Sequence, residues 1–279
     1  MRISVAHTTT YSYSSPVLLE PHVVRLRPRE DGSQRTLAFS LEIAPGPAGR
    51  AECLDQEGNV VTHAWFASPT DSLSVHSMFQ VETLRQNPFD FLLCSSDRDL
   101  PIRYPHATRH ALAPYLNGNV DGAVREFGAR IAGQAGNRTM DFLASLNRTL
   151  VERTRQLVRP VGTPYPPEQT LAAGEGSCRD TALLFCAACR AMGVAARFVS
   201  GYEYQTATAE QGGELHAWAE VYLEGGGWRG YDPSRGLAVT ASYVPLAAAA
   251  SPEMAAPVSG TFRGSAESSM SYSILLQAA

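Results

Sequence analysis

The sequence predicts an α+β protein in two parts, an all-β domain over residues 1–90 and, after a linker at 91–118, an α+β domain over 119–279 whose helices precede an antiparallel sheet. Three observations predict it. Apolar residues alternate with a period of two through residues 2–84, recur every three or four positions after residue 119, and alternate again beyond Gly193. At roughly 100–200 residues per domain, 279 residues suit two, and a 44% hydrophobic content lets each close its own core.

In the first half Ile3, Val5, Thr9 and Tyr11 share one face, followed by Leu37, Phe39, Leu41 and Ile43, then Val61, His63 and Trp65, then Leu73, Val75, Phe79 and Val81. Glu30-Asp31-Gly32, Pro45-Gly46-Pro47 and Asp55 to Asn59 supply the turns. His63 and His76 lack a second ligand at metal spacing and read as strand residues, so this half is assigned a structural or binding role. Residues 85–118 carry four prolines and no sustained period, as a linker does.

Val120, Val124, Phe127 and Ile131 form the apolar stripe of one helix, and Met140, Leu143, Leu146, Leu150 and Leu157 that of a second, which the Pro160 to Gln169 loop ends. A third helix runs from Ser177 to a cap near Gly193. Strands follow at Ala195 to Tyr204, Glu214 to Leu223 and Gly227 to Tyr231, with a weaker one at Ser271 to Leu276.

With 23 Arg against 27 acidic residues the net charge is −4, which lacks the basic excess that nucleic acid requires. The N-terminus has no signal-peptide core, and no apolar run approaches the ~20 residues of a membrane span, so a cytoplasmic protein without a membrane partner is expected. Five cysteines, an odd number, leave at least one thiol free. Every basic residue is Arg and none is Lys, so the chain has no lysine amine of its own to offer as an acyl acceptor. No calcium loop or metal-ligand spacing is present, and no cofactor or metal is expected.

The chemistry centres on Cys178, which follows Gly174-Glu175-Gly176-Ser177 in the first turn of the third helix. Ser177 with Asp180 makes a capping-box-like pattern. A thiol at a helix start faces unpaired N–H groups and the positive end of the helix dipole; both favour thiolate, and the same N–H groups suit an oxyanion. His216, on a strand face with Trp218, Glu220 and Tyr222, is the candidate base, and Asp232, ending the next strand, its orienting acid. Cys186 and Cys189 form a C-x-x-C in mid-helix without a matching pair, which reads as core packing.

Register decides whether imidazole and carboxylate meet. A Leu223-Glu224-Gly225 loop with Gly225 left-handed sets His216 opposite Asp232, Trp218 opposite Gly230 and Glu220 opposite Trp228. A Gly225-Gly226-Gly227 loop moves them four positions apart, about 13 Å along the strand. The first register is the expectation.

Gly176-Ser177-Cys178-Arg179-Asp180, Arg190 to Tyr202, His216-Ala217-Trp218-Ala219-Glu220-Val221-Tyr222 and Gly227 to Ser234 together resemble the bacterial transglutaminase-like superfamily, often described as candidate cysteine proteases. The resemblance spans roughly residues 120–240, and Tyr11-Ser12-Tyr13 to Arg27-Pro28-Arg29 resembles the β-rich N-terminal domain that accompanies this core in bacteria. It implies a papain-like fold and a triad with Cys178 as nucleophile, His216 as general base and acid, and Asp232 holding the imidazole. Three activities then compete: hydrolysis of a peptide or protein amide through a thioester, transfer of the same acyl group to an amine, and a non-catalytic binding module on the same fold. Hydrolysis is the expectation.

Overall fold

The structure, a computed structural model, describes residues 1–159, 162–205 and 213–278. Its N-terminal strands are β1 (Arg2–Leu19), β2 (His22–Val24), β3 (Gln34–Ala44), β4 (Gly49–Leu54), β5 (Val60–Trp65) and β6 (Thr70–Thr83). In β1 and β6 the predicted alternation is the burial pattern observed, with Ile3, Val5, Leu73, Val75, Phe79 and Val81 buried, whereas in β5 His63 and Trp65 are exposed and Thr62 and Ala64 buried, and Leu37 of β3 is exposed. β3, β6 and β1 lie side by side in one antiparallel sheet, while β2, β5 and β4 form a smaller one.

Helices α1 (Gly122–Gln134) and α2 (Thr139–Arg153) bury the expected stripes, Val124, Phe127 and Ile131 on the first and Leu143, Leu146 and Leu150 on the second. The second ends at Arg153, four residues before Leu157. The expected Pro160 to Gln169 loop contains the start of a short helix, α3 (Pro167–Ala173); Pro160 and Val161 lie outside the described residues. Helix α4 (Cys178–Ala191) follows, then the strands β7 (Ala196–Glu203), β8 (Leu215–Leu223), β9 (Gly227–Asp232) and β10 (Tyr243–Ala249). In space the sheet runs β9-β8-β7-β10. Leu184, Phe185 and Ala188 of α4 pack with Ala219, Val221 and Leu223 of β8, and the Phe185 ring stacks on Tyr231 at 5.6 Å.

Two features depart from the two-part reading. The stretch 91–118 is no free linker: Ile102, Tyr104 and Leu112 are buried in the helical core, and two short helices, His106–Ala111 and Ala113–Leu116, lie within it. Their apolar residues fall at irregular spacing, so no period announces them. The C-terminal strand β11 (Ser268–Ala278), grouped by sequence with the second domain, pairs with β1 through eleven residue pairs and lies in the N-terminal sheet.

The two parts also share a core. Ile3, Val5, Phe79, Ile274 and Leu276 of the N-terminal sheet pack with Tyr202, Val244 and Leu246 of the other. The outer edge of β10 is covered by N-terminal residues: Asn59 accepts from Ala248 N at 2.9 Å and donates to Ala248 O at 3.0 Å, and Gln34 Nε2 donates to Pro245 O at 2.8 Å. An edge that would otherwise expose unpaired backbone groups is thereby satisfied. Among the described residues, no helix is long and apolar enough to cross a membrane.

Candidate active site

Cys178 is the first residue of α4, as expected, and Ser177 is its N-cap. The Asp180 carboxylate accepts from Ser177 N at 2.6 Å, Ser177 Oγ at 2.8 Å, Tyr165 N at 2.7 Å and Arg159 Nη1 at 2.7 Å. Burial opposes its charge, but these donors hold Asp180 below the usual carboxylate range. Gly176 is required by this packing, since a Cβ there would lie 2.8 Å from Asp180 Cβ. The helix start is thus fixed from three directions, and Cys178 sits half-buried against Ala182, Phe198, Ala217 and Ala255.

Of the other cysteines, Cys53 and Cys94 are exposed, while Cys186 and Cys189 are buried in the core. Burial pushes the Cys186 thiol up to about 11 and Cys189 in the same direction, which suits packing rather than reaction.

The β8–β9 register is neither of the two weighed from sequence. Leu223 pairs with Gly227, Tyr222 with Trp228 and Glu220 with Gly230, two positions from the expected alignment. The turn closes with Gly226 N donating to Leu223 O, and Gly227, not Gly225, is left-handed at φ 64°. A tertiary contact selects it: buried Asp97 accepts from Glu224 N at 3.1 Å and Gly225 N at 3.3 Å. Continued to the strand ends, this register makes His216 and Asp232 diagonal neighbours on one face, a spacing that long side chains bridge.

They do meet. His216 Nε2 lies 2.6 Å from Asp232 Oδ2, and the ring lines the same cleft as the Cys178 thiol. Burial lowers the imidazole's basicity, yet Asp232 and Cys178 together outweigh it and raise His216 to about 10. The Asp232 side chain is wholly buried and accepts also from Ser234 Oγ at 2.7 Å, Ser234 N at 3.0 Å, Tyr243 Oη at 2.9 Å and Arg235 N at 3.3 Å. Burial opposes this charge too, but the donors, His216 first, hold Asp232 below the usual carboxylate range.

Tyr243, Ser234 and Glu203 were not singled out from sequence. The Asp232-x-Ser234 spacing is a local turn signal that could have found Ser234; Tyr243 reaches Asp232 only through tertiary packing. Glu203 Oε2 lies 4.0 Å from His216 Nε2 and pairs with Arg235 Nε at 3.3 Å. Ligand atoms of Glu203, His216 and Asp232 lie within 4.8 Å of one another, but both carboxylates already accept from N–H or O–H donors. Tyr202 and Trp218, on the two central strands of this sheet, are fully buried in the cores. Arg179 donates to the carbonyls of Gly162 and Arg159, and Glu175 pairs with Arg155.

Cys178 and His216 open onto a cleft of about 680 Å³. Val158 and the Gly162 to Pro164 segment border it on one side, Ala255 to Ser259 on another, and Thr9, Tyr11, Met270 and Tyr272 of the N-terminal sheet on a third.

Residues 3–82 match the family described as bacterial transglutaminase-like N-terminal region, and residues 125–233 match the transglutaminase-like superfamily. An uncharacterised Mycobacterium leprae protein is 27% identical over 267 residues, covering 94% of each chain. An uncharacterised Mycobacterium tuberculosis protein is 30% identical over 271 residues, covering 87% of this chain and 82% of that one. A crystal structure from Cytophaga hutchinsonii, described as a candidate cysteine protease, aligns over 100% of this chain and 91% of its own with a TM-score of 0.72 at 20% identity. That likeness covers both the β-rich N-terminal region and the papain-like core.

Proposed function

Because this chain belongs to the transglutaminase-like superfamily, with the bacterial N-terminal region ahead of the core, we propose that it cleaves an amide of a peptide or protein through a thioester on Cys178. The observation that carries this reading is an imidazole bonded to Asp232 at 2.6 Å on the same cleft that the Cys178 thiol lines. The thiolate attacks the amide carbonyl, the protonated His216 gives its proton to the departing amine, and the C–N bond breaks. Water then enters; His216 takes one of its protons, the oxygen attacks the thioester, and the acid leaves as the thiolate and imidazolium are restored. Asp232 holds the ring in orientation and balances its charge, while backbone N–H groups at the start of α4 supply an oxyanion site.

In this reading residues 1–90 are the recognition part, 91–118 the joining segment and 119–279 the chemical part, with β11 lent to the first sheet. All five thiols are free, which fits a reducing compartment and supports a cytoplasmic location.

Cys53 and Cys94, both exposed, are internal standards for an ordinary thiol. Despite being half-buried, Cys178 is expected to react with iodoacetamide at least about tenfold faster than either, as an activated thiolate does. His216→Ala is expected to abolish that advantage. Incubation with a peptide library and a free amine, followed by mass spectrometry, separates the outcomes: hydrolysed peptides absent with Cys178→Ala support the proposal, amine adducts replace hydrolysis by transfer, and no product with no alkylation advantage overturns catalysis.

A further inference from the structure

The inner face of the N-terminal sheet passes from core to cleft within one strand pair. On β1 and β11 successive rungs of that face are Val5 with Leu276, His7 with Ile274, Thr9 with Tyr272 and Tyr11 with Met270. The first two rungs are buried, packed with Tyr202, Val244 and Leu246. The next two, with Tyr11 packed on the rim of that core, line the same cleft as Cys178 and His216. Tyr11 and Met270 are only half-buried there, and Tyr272 is 36% exposed. A face that elsewhere is covered therefore presents two phenol rings and a thioether, each partly exposed, to the cleft that Cys178 lines.

The wall is held in place from both sides. β11 is paired with β1 along its length, and Gly213 N, on the approach to β8, donates to Ile274 O at 2.7 Å. Arg179, also on the cleft, is bonded to the carbonyls of Gly162 and Arg159. Arg159 is paired with Asp180 and Arg235 with Glu203, while Glu214 and Glu253 disfavour an acidic ligand.

We propose that Tyr11, Met270 and Tyr272 form a specificity wall that binds an aromatic or large aliphatic side chain of the acyl donor, next to the amide that Cys178 attacks. This rests on the acyl-transfer reading and gives the N-terminal region a part in substrate choice. An aromatic side chain gains both apolar burial and ring contacts against such a wall, and methionine adapts its shape to the ligand.

Acetyl-phenylalanyl and acetyl-alanyl chloromethyl ketones test it, because the Cys178 sulfur displaces chloride from each and only the side chain differs. Iodoacetamide, which has no side chain, reports the intrinsic reactivity of the thiol. The wild-type chain is expected to react on the order of tenfold faster with the phenylalanyl probe, in the range that one hydrophobic pocket discriminates. Tyr272→Ala and Met270→Ala are expected to bring the ratio down to about twofold with the iodoacetamide rate unchanged, and Tyr272→Phe to keep it. Tyr272 is surface-accessible, so its substitutions report the wall even if Tyr11→Ala does not fold. A ratio near one in the wild-type chain, or an unchanged ratio in the alanine variants, overturns the specificity wall alone. Failure of every reagent to favour Cys178 over Cys53 overturns the acyl-transfer reading beneath it.

Discussion

Asp232 accepts five hydrogen bonds while wholly buried, and the consequences of substitution follow from that number. Removing the hydroxyl with Tyr243→Phe takes away one donor and leaves the imidazole bond. It is expected to cost about 1.5 kcal/mol in urea denaturation, the lower end for a hydrogen bond to a charged group. The charge pair also sets how stability depends on pH. His216, raised from 6.5 to about 10, contributes stability that is complete below about pH 6.5 and lost as pH rises through its folded value. Asp232, lowered from 3.8, contributes stability that is present above that value and lost as pH falls. Denaturation midpoints are therefore expected to plateau between these two limits, and His216→Gln to flatten the alkaline fall; an unchanged alkaline slope would show that the imidazole is not the titrating group.

At the scale of elements, legibility in sequence follows how local each signal is. Helix α4 was readable because its cap, Ser177 with Asp180, and its glycine stop at Gly193 lie within one stretch of chain. The β8–β9 register was not, because Gly225, Gly226 and Gly227 carry no local preference and the choice is made by Asp97, more than a hundred residues away in the chain. The glycines differ accordingly. A Cβ on Gly225 would fall 1.8 Å from Leu92 O, so Gly225→Ala must displace the hairpin, at a cost of about 2 kcal/mol, typical of an overpacked site. Gly227 has open space around its Cβ position and a φ of 64°, so Gly227→Ala is expected to cost only about 1 kcal/mol of backbone strain. Because the hairpin carries Asp232, Gly225→Ala should also reduce the alkylation rate of Cys178 while Gly227→Ala leaves it near wild type; equal effects on that rate would detach the register from the site.

Across the whole molecule the chain closes on itself. The Ser271 to Leu276 strand was visible in the sequence, but its partner, β1, lies at the other end of the chain, and pairing at such separation leaves no local mark. Cys178 and Asp232 were legible for the opposite reason, one beside its own helix cap and the other at a local turn with Ser234. Removing β11, by ending the chain at Glu267, exposes the edge of β1 along eleven pairs and uncovers the apolar faces that Ile274 and Leu276 bury. At roughly 1.5–3 kcal/mol for each fully buried aliphatic side chain, the loss is about 3–6 kcal/mol before any hydrogen bond is counted. A typical domain holds only about 5–15 kcal/mol in total, so the N-terminal sheet has little left to fold on. Its inner face shares a core with Tyr202, Val244 and Leu246, so the loss should pass into the sheet that carries His216. The shortened chain is expected to melt at a clearly lower temperature, with fast amide exchange along β1 and β6 and a slower reaction of Cys178 with iodoacetamide. Unchanged melting and unchanged exchange in β1 would mean that β11 merely rests on the sheet it adjoins.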